Sequence, residues 1–137
     1  MFKIGRLNNI DNEKIEINKI SQEINRFING EKFIDKFDGL EFNIYNSKYS
    51  FSFCMNCPLE KLLELSINQS IDFKDYIFDG EIWFNVKEEI SYDIELYNID
   101  IKINRYLKNR FLILIKFYAG DEYSGVIELS FNLDDYI

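Results

Sequence analysis

The sequence predicts an α+β fold, a single domain spanning residues 1–137 and dominated by an antiparallel β-sheet. Three observations predict it. Apolar residues switch from three-to-four spacing to strict alternation at Leu40, the alternating runs are joined by short turn-like pairs, and no Pro-, Gly- or Ser-rich linker divides the chain. A length of 137 residues suits one domain with a self-sufficient core. Hydrophobic residues at 47% and aromatics at 17% exclude a disordered tail despite a net charge of -8.

In chain order, Ile17, Ile20, Ile24, Phe27 and Ile28 recur at helical spacing, with Gly30 as C-cap and Asn18 or Ser21 as N-cap. This predicts an N-terminal helix, preceded by a short strand over KIEI. Phe33 to Phe37 fits either element. Leu40, Phe42 and Ile44 then alternate with polar residues, Asn46-Ser47 turns the chain, and Tyr49, Phe51, Phe53 and Met55 alternate again, which is a hairpin with one buried face. Pro58 opens a short helix carrying Leu59, Leu62 and Leu63.

From Asp79-Gly80 onward the chain reads as strands. Ile82, Phe84 and Val86 alternate, as do Ile90, Tyr92, Ile94 and Leu96, whereas Ile99, Ile101 and Ile103 follow in the opposite phase. That phase slip at Tyr97-Asn98 requires a tight turn or a bulge. Lys108-Asn109 is the next turn. RFLILIKFY is apolar on both parities and so predicts a central strand covered on both faces. Ile127, Leu129, Phe131 and Leu133 close the sheet after a loop at 120–125. The total is about six to seven strands, and a β-sandwich is the alternative architecture.

Residues that are missing limit the chemistry. Without histidine there is no Ser-His-Asp or Cys-His machinery and no imidazole base, so no enzyme is expected and no cofactor or metal is implied. Threonine is absent, while isoleucine and asparagine are over-used, the bias of an A+T-rich bacterial or phage genome. Phe111 to Ile115 is the longest aliphatic run, far short of the roughly 20 residues of a membrane helix. With no apolar leader at the start, a cytoplasmic location and no membrane partner are expected.

Cys54-Met55-Asn56-Cys57-Pro58 is the motif with most chemical content. It falls where a strand gives way to a helix, whose N-terminus favours a thiolate. Over these five residues it resembles a thioredoxin active-site turn, which implies a redox role for Cys54 and Cys57. The surroundings depart from that family, since no βαβ unit begins here and Pro58 is the only proline. Zinc would need two further ligands. Gly120 to Gly125 has phosphate-loop spacing, but Val126 stands where lysine is required, so it reads as a hairpin loop. Glu88-Glu89 and Asp134-Asp135 read as solvated turns, because neighbours on a strand point to opposite faces.

Charge is segregated along the chain. Nine acids against two lysines lie between Asp72 and Asp100, followed by five bases and no acid from Lys102 to Lys116. Neighbouring strands would let part of this cancel across the sheet. The surplus acid, with Trp83, Tyr92 and Tyr97 among it, predicts a surface that attracts a basic protein and repels nucleic acid.

The function expected is a non-catalytic protein-binding module, of the kind of a small acidic bacterial immunity protein or inhibitor occluding a basic toxin. Its contact residues would be Asp79, Glu81, Trp83, Glu88, Glu89, Tyr92, Asp93, Glu95 and Tyr97. Three alternatives stand beside it: a thiol-redox or metal role of Cys54 and Cys57, a structural or phage protein, and a ligand binder with a pocket lined by Phe51, Phe53 and Phe117. An unpaired strand edge would also permit a homodimer.

Overall fold

The computed structural model describes residues 2–4, 14–86, 93–94, 96–120 and 123–137. The alternation read from Leu40 onward becomes two antiparallel five-stranded sheets. In chain order the strands are β1 (Phe2–Ile4), β2 (Lys14–Ile28), β3 (Glu31–Tyr45), β4 (Tyr49–Met55), β5 (Gln69–Asp72), β6 (Ile77–Val86), β7 (Asp93–Ile94), β8 (Leu96–Leu107), β9 (Arg110–Ala119) and β10 (Tyr123–Asn132). One sheet has the order β1-β10-β9-β8-β5 and the other β2-β3-β4-β6-β7.

The inward faces of the two sheets meet through aromatic rings. Phe51 and Phe84 lie 4.9 and 5.1 Å from Phe117, and Phe42 lies 5.6 Å from Phe131 while stacking on Phe53 at 4.6 Å. Each contact between a β3, β4 or β6 ring and a β9 or β10 ring joins the sheets, so one core serves both. This is the packing of a sandwich, in which inward residues of both sheets interdigitate.

Several expectations require correction. The N-terminal helix does not form: Lys14–Ile28 is a strand, and the described residues contain no α-helix, only short 3-10 turns at Leu59–Glu64, Phe73–Tyr76 and Leu133–Asp135. The α+β class therefore gives way to an essentially all-β one with ten described strands, more than expected. The cause is a parity coincidence. Ile20, Ile24 and Ile28 are four apart, a spacing that puts residues on one face of a helix and equally on one face of a strand. Gly30 is not a helix cap. Asn29 at φ 52° and Gly30 at φ 82° form a two-residue loop between paired Ile28 and Glu31, and Asn-Gly is the strongest short-range hairpin signal.

β9 does lie inside its sheet, but it is covered on one face only. Phe111, Ile113, Ile115, Phe117 and Ala119 are buried, while Leu112 and Leu114 are half-exposed and Lys116 and Tyr118 exposed. Position within a sheet satisfies the backbone on both sides without requiring a third layer. The helix after Pro58 is a 3-10 turn, with Leu59 and Leu62 buried.

Other readings hold. Asn46 closes the β3–β4 turn, its Oδ1 accepting from the amides of Lys48 and Tyr49 at 2.8 Å each. The phase slip is a bulge in β8, between Tyr97 and Asp100 in the register with β9, with Asn98 at φ 51°. Lys108-Asn109 turns β8 into β9.

Candidate functional site

Of the residues expected to form one contact surface, the two whose side chains are described, Trp83 and Tyr97, do not lie together. Trp83 faces outward from β6, since its cross-strand partner is Ser52 and its neighbour Phe84 is in the core; it is 38% exposed. Tyr97 faces outward from the other sheet, stacked on Tyr118 at 5.7 Å. The two rings therefore occupy opposite outer faces of the sandwich. The backbones of Asp79 and Glu81 run in β6 and that of Asp93 in β7. Glu88, Glu89, Tyr92 and Glu95 lie outside the described residues.

Part of the charge segregation is cross-strand pairing. Lys102 Nζ lies 3.6 Å from Asp100 and 4.0 Å from Asp72, and Lys116 is the register partner of Asp100. Arg105 is also committed to the fold. Its Nη1 donates to the carbonyls of Leu63 (3.1 Å) and Leu65 (2.8 Å), its Nη2 to Asn109 Oδ1 (3.1 Å), and its Nε to the carbonyl of Lys108. The basic stretch that follows the acids thus ties strands and turns together.

Cys54 and Cys57 are buried and form no disulfide. Burial pushes the Cys57 thiol up to about 11, with Lys61 only partly opposing the effect. A redox CxxC needs the reverse, a thiol lowered toward neutrality. Among the described residues no group of three or more His, Cys, Asp or Glu is placed to hold a metal. Phe51, Phe53 and Phe117, the residues named for a ligand pocket, are all 0–1% exposed, and Phe51 lies within 4.9 Å of Phe117 and 6.2 Å of Phe53, centroid to centroid. Their rings pack the core.

A different element stands out. β2 and β3 pair over fifteen residues each, yet β4 joins β3 only at Glu41–Tyr45. Leu40 and Gly39 are still buried, and beyond them residues 31–38 with their β2 partners form a two-stranded arm reaching about 25 Å at roughly 3.3 Å per residue. All of residues 25–34 are exposed, including Phe27 (71%), Ile28, Phe33 and Ile34. Cross-strand partners share a face. One face of the arm therefore carries Ile20, Ile24, Ile28, Phe33 and Phe37, and the opposite face carries Ile34 and Phe27 beyond a set of charges.

Exposed ion pairs bridge the two strands on both faces. Lys19 pairs with Asp38 at 3.7 Å, Lys36 with Glu23 at 3.5 Å, and Arg26 with Asp35 at 2.6 Å. An open concavity on the arm is lined by Ser21, Gln22, Glu23, Lys36, Phe37 and Asp38. Between Lys14 and Tyr45 six acids meet five bases, so nearly all of the net -8 belongs to the rest of the molecule. Reading the N-terminal third as a helix hid this arm; Asn29-Gly30 between apolar runs was the signal that reveals it. No family model, curated protein or solved structure matches the chain.

Proposed function

We propose that this chain is a non-catalytic protein-binding module, a small acidic inhibitor of the immunity type that works in the cytoplasm by covering a surface of a basic toxin or effector. The observation that carries the reading is the arm. A two-stranded hairpin that exposes Phe27, Ile28, Phe33 and Ile34 stabilises the isolated chain little, whereas apolar rings on a projecting element are what a protein partner desolvates. The acid carried by the rest of the chain supplies the attraction toward a basic partner and speeds encounter. That same field opposes phosphate, which leaves nucleic acid out of the reading.

The test uses β3 residues at the tip. The wild-type chain and a Phe33→Ser/Ile34→Ser variant are immobilised and exposed to extract of the source cell over a range of salt. A basic protein held by the wild type, released as salt rises and lost from the variant, supports the proposal. Retention of the same proteins by both chains, or of nothing beyond what an unrelated acidic protein holds, overturns it.

A further inference from the structure

The arm has a second exposed feature besides its tip. β2 is the first strand of its sheet and pairs only with β3 among the described residues, so alternate residues along its fifteen-residue length turn their main-chain donors and acceptors to the outer edge. Most edges of that length are protected by proline, a bulge or an inward charge. β2 has no proline, its register with β3 runs unbroken, and the charge it carries on the inward parity beside the core is Lys19, opposite Leu40.

An antiparallel partner can join such an edge only in registers where facing residues share parity, because alternate residues direct their N–H and C=O groups outward. Among these registers, pairing β2 with the β2 of a second copy about Ser21 is singled out by the charges. It sets Lys19 opposite Glu23 of the second copy and Glu16 opposite Arg26, each twice by symmetry, and brings no like charges together. It is also the register in which Lys14–Ile28 overlaps along its full length. Centring on Ile20 would oppose Lys14 and Arg26, and centring on Gln22 would pair no charges at all.

The existing pairing with β3 extends the match. Glu23 already faces Lys36, and Lys19, which faces Leu40, reaches diagonally to Asp38 at 3.7 Å. Across the two-fold Lys36, Glu23 and Lys19 of the second copy therefore fall in one row, alternating in sign over three strands, with Asp38 of the second copy on the diagonal. The same register puts Phe27, 71% exposed, beside Ile15 of the second copy, 41% exposed, so that both apolar side chains gain cover at the edge of the partner's sandwich.

We infer that the partner of the β2 edge is a second copy of this chain, the two arms pairing antiparallel about Ser21 into one continuous sheet. The inference rests on the arm being a protein-contact element, as proposed above, and leaves Phe33 and Ile34 of β3 for a different partner.

Sedimentation equilibrium of the intact chain tests it. The wild type is expected at twice the 16.5 kDa of one chain in the micromolar range. Glu16→Arg alone and Arg26→Glu alone each place like charges opposite one another across the two-fold and should weaken association by about tenfold or more. Mixed in equal amounts, these two chains complement each other and should recover the wild-type affinity as a heterodimer. A wild type that stays monomeric up to about 100 μM, single variants as dimeric as the wild type, or a mixture no tighter than its components would overturn it. The result is separable from the functional proposal. A monomeric chain whose Phe33→Ser/Ile34→Ser variant still loses its basic partner refutes only the pairing of copies. A chain that dimerises as described while that variant keeps the partner refutes only the functional proposal.

Discussion

Replacing Arg105 by Met should cost this protein about 3 kcal/mol, and the number follows from what the guanidinium holds. Arg105 follows Ile101 and Ile103 on the inward parity of β8 and is half-buried. A charge can occupy that place because its donors are spent on the carbonyls of Leu63, Leu65 and Lys108 and on Asn109 Oδ1. Asn109 in turn donates to Asp134 Oδ1 at 2.7 Å, and its carbonyl accepts from the amide of Leu133 at 2.8 Å. One side chain thus links the 3-10 turn after Pro58, the β8–β9 turn and the C-terminal turn. At about 0.5–1.5 kcal/mol net for each of four hydrogen bonds, discounted because half of them are exposed to water, the loss comes to about 3 kcal/mol. With a urea m-value of about 1.5 kcal/mol/M, the unfolding midpoint should fall by about 2 M. Arg105→Lys keeps the charge but not the fork and should lose more than half as much. A midpoint within about 0.3 M of wild type for Arg105→Met would show that water replaces the guanidinium, and the clamp would be refuted.

Other expectations separate core from arm. Phe42→Ala removes a ring that is 0% exposed and touches Phe53 and Phe131, and should destabilise by about 3–5 kcal/mol in the same urea assay. Phe33→Ala, at a site 40% exposed, should stay within about 0.5 kcal/mol. Gly30→Ala meets no steric neighbour but forces φ 82° on a residue with a Cβ, a penalty of about 1 kcal/mol. Because the arm tip lies apart from the core, the change should appear as faster amide exchange at residues 25–34 with little shift in global unfolding. Thiolate absorbance should show the Cys57 thiol of the folded protein titrating near 11. The unfolded chain releases that proton near 9 while the folded chain keeps it, so stability should decline between pH 9 and 11, and Cys57→Ser should remove that part of the decline.

The readings that held are those a strand dictates locally. Alternation is a property of consecutive residues, and Phe42, Ile44, Phe51, Phe53, Phe84, Ile101, Ile103, Ile127 and Leu129 are all in the core where their parity put them. The bulge after Tyr97 was visible for the same reason, as a change of phase within one strand. The arm was not read correctly because spacing by four is common to helix and strand, and only the turn residues Asn29 and Gly30 tell them apart.

Composition and parity established that the chain is rich in strands, acidic, without histidine, and furnished with enough apolar residues for a core. They could not say that Trp83 and Tyr97 look in opposite directions, that Lys102 stands between Asp72 and Asp100, or that Arg105 supports three turns. Each of these depends on which strand lies beside which, an outcome of long-range packing between two sheets. The projection of the arm has the same origin. β4 stops pairing with β3 at Glu41, Leu40 and Gly39 are the last buried residues of that strand, and the stretch beyond them is left to meet solvent or a partner.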